Sequence, residues 1–182
     1  FQGCPGDSTE AAVSVILQER EDPDLLLIRR AEVRGDPWSG HMALPGGRRQ
    51  PEDRSLRETA VRETREETGI DLGLSGTPLG RLRPLKPSTF RIPPISIYPF
   101  VFAVPPGTPA RVASREVDEV YWTSLSSLVH PSTRDVTRIQ LGEETREFPC
   151  FDVEGKAVWG LTYRILTNLL QVLEDPSPPT RQ

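Results

Sequence analysis

The chain is poor in the side chains from which many enzyme sites are built, with 2 cysteines, 2 histidines and 1 methionine among 182 residues. Cys4 and Cys150 lie far apart, with neither a CxxC spacing nor a neighbouring histidine, so neither reads as a metal ligand or a nucleophile. With His41 and His130 as the only imidazoles, a zinc centre or a serine–histidine triad has too little to draw on. No apolar run approaches the roughly 18 to 20 residues that cross a bilayer, and the start lacks the pattern of a signal peptide. A basic excess is missing too. The net charge of -4 argues against broad electrostatic attachment to nucleic acid or to an anionic membrane. These absences predict a cytoplasmic protein that uses neither thiol nor zinc chemistry.

What is present suffices for one core, since 36% of the residues are hydrophobic. Phe1-Gln2-Gly3 reads as the remnant of a protease-site tag, residues 4–174 as a single domain, and residues 175–182, with three prolines, as a flexible C-terminal tail. Period-two and β-branched stretches predict strands over 12–18, 25–30, 79–83, 95–104 and 117–122. A turn of helix follows at 124–129, and 148–153 and 156–159 form a hairpin around Glu154-Gly155. The apolar segment 161–173 closes the chain as a helix. The proline-rich stretch 83–94 and the segment 105–110 read as loops. The fold class is α/β.

Chemistry concentrates between Gly46 and Ile70. Ser55-Leu56-Arg57-Glu58 fits a helix capping box, and Gly69 a left-handed stop. Leu56, Ala60, Val61, Thr64 and Thr68 supply a narrow packing stripe between them. Glu63 precedes Glu66 by three residues and Glu67 by four, so helical spacing sets the three carboxylates on one face. Uncompensated, they repel one another, and a hard divalent cation removes the conflict. Glu58 and Glu66 each lie four residues from Arg62, which steadies the helix and lets the arginine orient a ligand carboxylate. Leu44-Pro45-Gly46-Gly47 precedes the helix, and its glycines let backbone approach phosphate or metal. Arginine supplies 20 of the 22 basic residues, and its planar fork suits phosphate oxygens.

From Gly47 through Asp53 to Arg62-Glu63, Glu66-Glu67 and Gly69-Ile70 the chain resembles the Nudix hydrolase family. The second half of the signature matches at every fixed position. In the first half an aspartate replaces the usual glutamate, and eight residues, one more than usual, separate Asp53 from Arg62. Asp53 is accordingly expected to act structurally, near the helix N-terminus. Leu26 to Ala31 and Trp38 to Gly47 are similar to the coenzyme A diphosphatase branch, with Ile28 and Leu44 in place of its threonine and phenylalanine, and Arg34 and Gly40 displaced by one residue. Val158 to Leu166, with its tryptophan, glycine and following helix, is a further likeness.

The resemblance implies an α/β/α sandwich with a mixed β-sheet. It implies Mg²⁺-dependent hydrolysis of a pyrophosphate bond, with Mn²⁺ as a substitute, and a metal site at Glu63, Glu66 and Glu67 with the carbonyls of Gly46 or Gly47. The general base is then Glu63, another helix glutamate or Glu116, with Asp118 and Glu119 as rivals. Arg29, Arg30, Arg48, Arg49 and His41 flank the expected pocket as substrate residues. The partner is a small-molecule nucleotide, with a homodimer as a compatible assembly and neither nucleic acid nor membrane involved. Coenzyme A is the leading substrate, yielding 4'-phosphopantetheine and adenosine 3',5'-bisphosphate. ADP-ribose, NADH, dinucleoside polyphosphates and nucleoside triphosphates are alternatives; a 5'-capped RNA is disfavoured by the acidic charge. A regulatory module that binds a nucleotide without cleaving it is the reading from a different class.

Overall fold

The computed structural model describes residues 9–33, 39–87, 94–141 and 144–174. Cys4, Arg34, Trp38, the start of the chain, part of the 83–94 loop and the 175–182 tail lie outside these residues. Strands β1 (Thr9–Gln18) and β2 (Asp24–Arg30) are followed by two short ones, β3 (Met42–Ala43) and β4 (Gly46–Arg48). Helix α1 (Leu56–Thr68) then leads through the single turn α2 (Leu72–Ser75) to β5 (Thr77–Arg81), β6 (Ile95–Val104) and β7 (Val117–Ser124). Beyond them come α3 (Leu125–Val129), β8 (Arg134–Leu141), β9 (Glu144–Val153), β10 (Lys156–Trp159) and α4 (Gly160–Glu174).

The main sheet runs β3-β2-β1-β6-β5, with β4 also paired to β1 and β7 to β2. It is mixed, as expected: β1 and β6 are parallel from Thr9↔Ile95 to Gln18↔Val104, while β2, β4 and β5 join by antiparallel ladders. Alternation along the central strands divides the core in two. Ile16, Leu26, Phe102 and Val104 pack with Ile70 and Leu72 just beyond α1. Val15, Leu25 and Leu27 meet Phe151, Val158, Ile165 and Leu166 from the second sheet and α4 on the other side.

Helix α1 forms for the reasons its sequence states. Ser55 accepts the N–H of Glu58, and Gly69 turns left-handed at φ 73° with its N–H on the Arg65 carbonyl. Glu58 completes the cap one residue further out than expected, accepting the N–H of Arg54 at 2.8 Å. The helix lies close to β1 through hydroxyls: Thr64 donates to Ser14 at 2.8 Å, and Ser14 reaches the Ala60 carbonyl at 3.2 Å.

Two expectations need correction. The strand placed at 79–83 runs instead over Thr77–Arg81, because Gly80 at φ 158° accompanies a register shift against β6. The second sheet, β10-β9-β8, contains a strand that no pattern announced. In β8, Val136 points to solvent at 52% exposure, so the alternation that marks a half-buried strand is blurred. The Glu154-Gly155 hairpin is present: both residues have positive φ, and Asp152 accepts the Gly155 N–H at 2.7 Å. Among the described residues, no helix is long and apolar enough to cross a membrane.

Candidate active site

The diglycine lies against β1, with Gly46 opposite Val13 and Gly47 opposite Ala12. A Cβ on Gly46 would collide with the Ala12 carbonyl and sit 2.6 Å from Val13 Cα, so only glycine permits this approach. The Gly46 N–H points at α1 and donates to Glu67 Oε2 at 2.9 Å. Gly47 makes room for Glu63: a Cβ there would lie 2.5 Å from the carboxyl carbon of Glu63. The obstructed atoms are the end of a flexible side chain, so substitution displaces the carboxylate without rupturing the fold. Gly47→Ala is expected to lower turnover about a hundredfold, as misplacement by an ångström can, with a melting temperature close to wild type. Unchanged kcat in that variant would show that Glu63 need not rest on this backbone.

The three helix carboxylates occupy different environments. Glu67 is 3% exposed, and burial pushes its pKa up to about 8, with the charges of Glu63 and Glu116 adding to the rise. The Gly46 N–H and the positive charge of Arg30 oppose it. Glu63 is also raised, first by burial and then by the charges of Glu66 and Glu116, against the hydrogen bond from Arg62. Glu66 is half exposed.

Arg62 organises this face. Its Nη1 donates to Glu63 at 2.8 Å and to Glu66 at 3.2 Å, while Nε and Nη2 each reach Asp53 at 3.0 Å. Asp53 is buried and accepts two further donors, the Gln50 N–H and the Thr59 hydroxyl, each at 2.9 Å. The Arg62 fork, against the cost of burial, holds its carboxyl well below the usual carboxylate range. Asp53 is structural, as expected, but through this ion pair more than through the helix dipole.

Glu116 arrives from a distant loop. The Arg111 and Ala113 N–H groups donate to the last carbonyls of α1, those of Thr68 and Glu67, at 3.0 and 3.1 Å. The Glu116 carbonyl accepts the Ala31 N–H at 2.9 Å, and its carboxylate acts on both Glu63 and Glu67. The rivals look elsewhere: Glu119 and Asp118 bind Arg29 at 2.8 and 3.5 Å.

The residues expected to meet substrate are dispersed. Arg30 faces Glu67 electrostatically, and Arg48 is exposed at the end of β4, its carbonyl accepting Arg62 Nη2 at 3.2 Å. Arg49 turns instead to the loop before α1, holding Glu10 at 3.2 Å and the Asp53 carbonyl at 3.3 Å. Arg29 and His41 line a cleft of about 330 Å³ between β2, β3 and the second sheet. There the His41 ring stands edge-on to Trp159, 4.8 Å between centroids.

Oxygen donors of this kind suit a hard divalent cation, whose charge would offset the burial that raises Glu63 and Glu67. Among the described residues, no three acidic, cysteine or histidine side chains converge into a ready-made cage. Arg62 holds Glu63 and Glu66, and the Gly46 N–H holds Glu67.

Known proteins resemble this chain in sequence and in fold. Residues 8–141 match the NUDIX domain. An uncharacterised protein of Schizosaccharomyces pombe is 40% identical over 122 residues, which cover 65% of this chain but 36% of that protein, so the chain spans about a third of this relative. The uncharacterised Nudix hydrolase NudL of Yersinia enterocolitica is 32% identical over 166 residues, covering 91% of this chain and 82% of that one. The crystal structure of a MutT/nudix family protein from Enterococcus faecalis superposes with a TM-score of 0.62 at 20% identity, over 95% of this chain and 66% of that one. The last is a likeness of fold. A match over most of the chain, joined to a helix that sets Glu63 and Glu67 against a diglycine backbone, makes the chain a member of the Nudix hydrolase family.

Proposed function

We infer that the protein is a magnesium-dependent pyrophosphohydrolase that cleaves coenzyme A or a derivative into 4'-phosphopantetheine and adenosine 3',5'-bisphosphate. The observation that carries the reading is Glu67, buried at 3% exposure on the Gly46 N–H with two more carboxylates acting on it. Such an arrangement costs stability, and clustered raised carboxylates are characteristic of functional sites. Glu63, Glu66 and Glu67, with the carbonyl of Gly46 or Gly47, would hold Mg²⁺, and Mn²⁺ shares the ligand preference. When bound, the ion neutralises the diphosphate oxygens and lowers the pKa of water.

The chain supplies the rest. Arg62 fixes the Glu63 and Glu66 carboxylates, so the face does not have to be organised during the reaction. Glu116, exposed and acting on Glu63 and Glu67, is the proposed base that accepts the proton of the attacking water. Its rivals Asp118 and Glu119 are held by Arg29. Attack in line on phosphorus forms one P–O bond as the bridging one breaks, with no covalent enzyme intermediate. Arg30 and Arg48 are the proposed phosphate contacts.

The coenzyme A assignment rests on the similarity at Leu26 to Ala31 and Gly40 to Gly47. It is tested by incubating the protein with Mg²⁺ and coenzyme A, ADP-ribose, NADH, dinucleoside polyphosphates or nucleoside triphosphates, and identifying products by mass spectrometry. Preferential release of 4'-phosphopantetheine is expected. Preferential cleavage of another compound would replace the substrate and keep the chemistry, and metal-independent binding without any cleavage would leave a regulatory module.

A further inference from the structure

The cleft between β2, β3 and the second sheet is lined by two unlike cations. Arg29 is already surrounded by Glu119 at 2.8 Å, Asp118 at 3.5 Å and Glu32 at 3.7 Å, so its charge is more than matched. The second cation is Lys156, one of only two lysines in the chain. Among the described residues Lys156 makes no ion pair; its ammonium lies 4.7 Å from the centroid of the Tyr121 ring. A cation held by an aromatic face is positioned without being neutralised, and keeps its hydrogen-bond donors for a ligand. Thr137, on the same cleft, adds a hydroxyl. Trp159 also lines the cleft, half-buried, with the His41 ring edge-on at 4.8 Å and the Phe148 ring tilted at 5.2 Å. Such a buttressed indole offers a stacking surface to a flat heterocycle.

We propose that this cleft is the nucleoside subsite: Trp159 stacks the base, and Lys156 binds a phosphomonoester carried on the ribose, which makes Lys156 the residue that selects substrates bearing that third phosphate. The acidic surroundings of Arg29 disfavour a phosphate there, which leaves Lys156 as the cation of this cleft for the phosphomonoester. This rests on the nucleotide pyrophosphatase reading above.

The test pairs binding with turnover. Calorimetric titration, without metal, compares adenosine 3',5'-bisphosphate with AMP, and steady-state kinetics compare coenzyme A with 3'-dephospho-coenzyme A. Wild type is expected to favour the 3'-phosphorylated member of each pair about tenfold, the size of one charge-assisted contact. Lys156→Gln should abolish that preference through KM with kcat unchanged, and Lys156→Arg should retain it. Trp159→Leu should weaken both members of a pair equally. Equal preference in wild type and Lys156→Gln would overturn the subsite while leaving the hydrolase reading intact. Lys156-dependent binding of the bisphosphate without hydrolysis of coenzyme A would keep the subsite and remove coenzyme A as the substrate. Intact far-UV circular dichroism of each variant excludes misfolding as the cause.

Discussion

Replacing Glu67 by glutamine is expected to lower turnover by roughly a thousandfold or more while leaving the protein folded, and, without metal, more stable than wild type at pH 8. The kinetic half follows from removing a charge where charge is the mechanism. The stability half follows from burial. Glu67 is raised to about 8, above its unfolded value, so from about pH 4 upward the folded state binds more protons than the unfolded one. Stability is therefore lost as pH rises from there to about 8, and glutamine, which keeps the acceptor for the Gly46 N–H without the charge, is spared that loss. Melting temperatures in chelator at pH 5 and pH 8, beside kcat with Mg²⁺, check both halves. Wild-type turnover would refute the metal role; equal pH dependence in the two proteins would refute the buried-charge argument.

Asp53→Asn is expected to act in the opposite way, destabilising the fold by about 3 kcal/mol at pH 7, the scale of breaking a largely buried pair by removing one partner. Asparagine cannot take both Arg62 contacts, now 3.0 Å each, and leaves the guanidinium with Glu63 and Glu66 alone. Because the Asp53 carboxyl is held below its unfolded value, its contribution is complete above about pH 4 and disappears as pH falls through the folded value. Urea denaturation should therefore separate wild type from variant at pH 7, and the gap should narrow on acidification below pH 4. A gap that persisted at low pH, or none at pH 7, would show that the Arg62 fork does not anchor the helix.

These two carboxylates also mark where the sequence was readable. Glu67 was legible because a helix converts a spacing of four into a shared face, and the spacing is local. Helix α1, with its Ser55 cap and Gly69 stop, was legible for the same reason. The Asp53–Arg62 fork was obscured by one extra residue in the intervening segment, which pattern matching counts as a departure and the folded loop absorbs. Strand β8 escaped because its exposed Val136 breaks the alternation, and its inward residues, Thr137 and Ile139, meet a cleft instead of a packed core. Of three downstream acids within four residues, the sequence puts Glu116 ahead of Asp118 and Glu119 on position alone. The pairing of Arg29 with the latter two separates them.

The sequence alone determined the elements held by near neighbours: the capped helix, the row of Glu63, Glu66 and Glu67, the Glu154-Gly155 hairpin and the α/β alternation. Their causes act over a few bonds, through dihedral preference, capping and periodicity. The tertiary structure alone decided which acid joins that row, which arginines are already engaged, and which of two lysines stands in the cleft. Those outcomes depend on strands β2, β7 and β10 meeting across dozens of residues, and burial and charge have their effect only after that meeting.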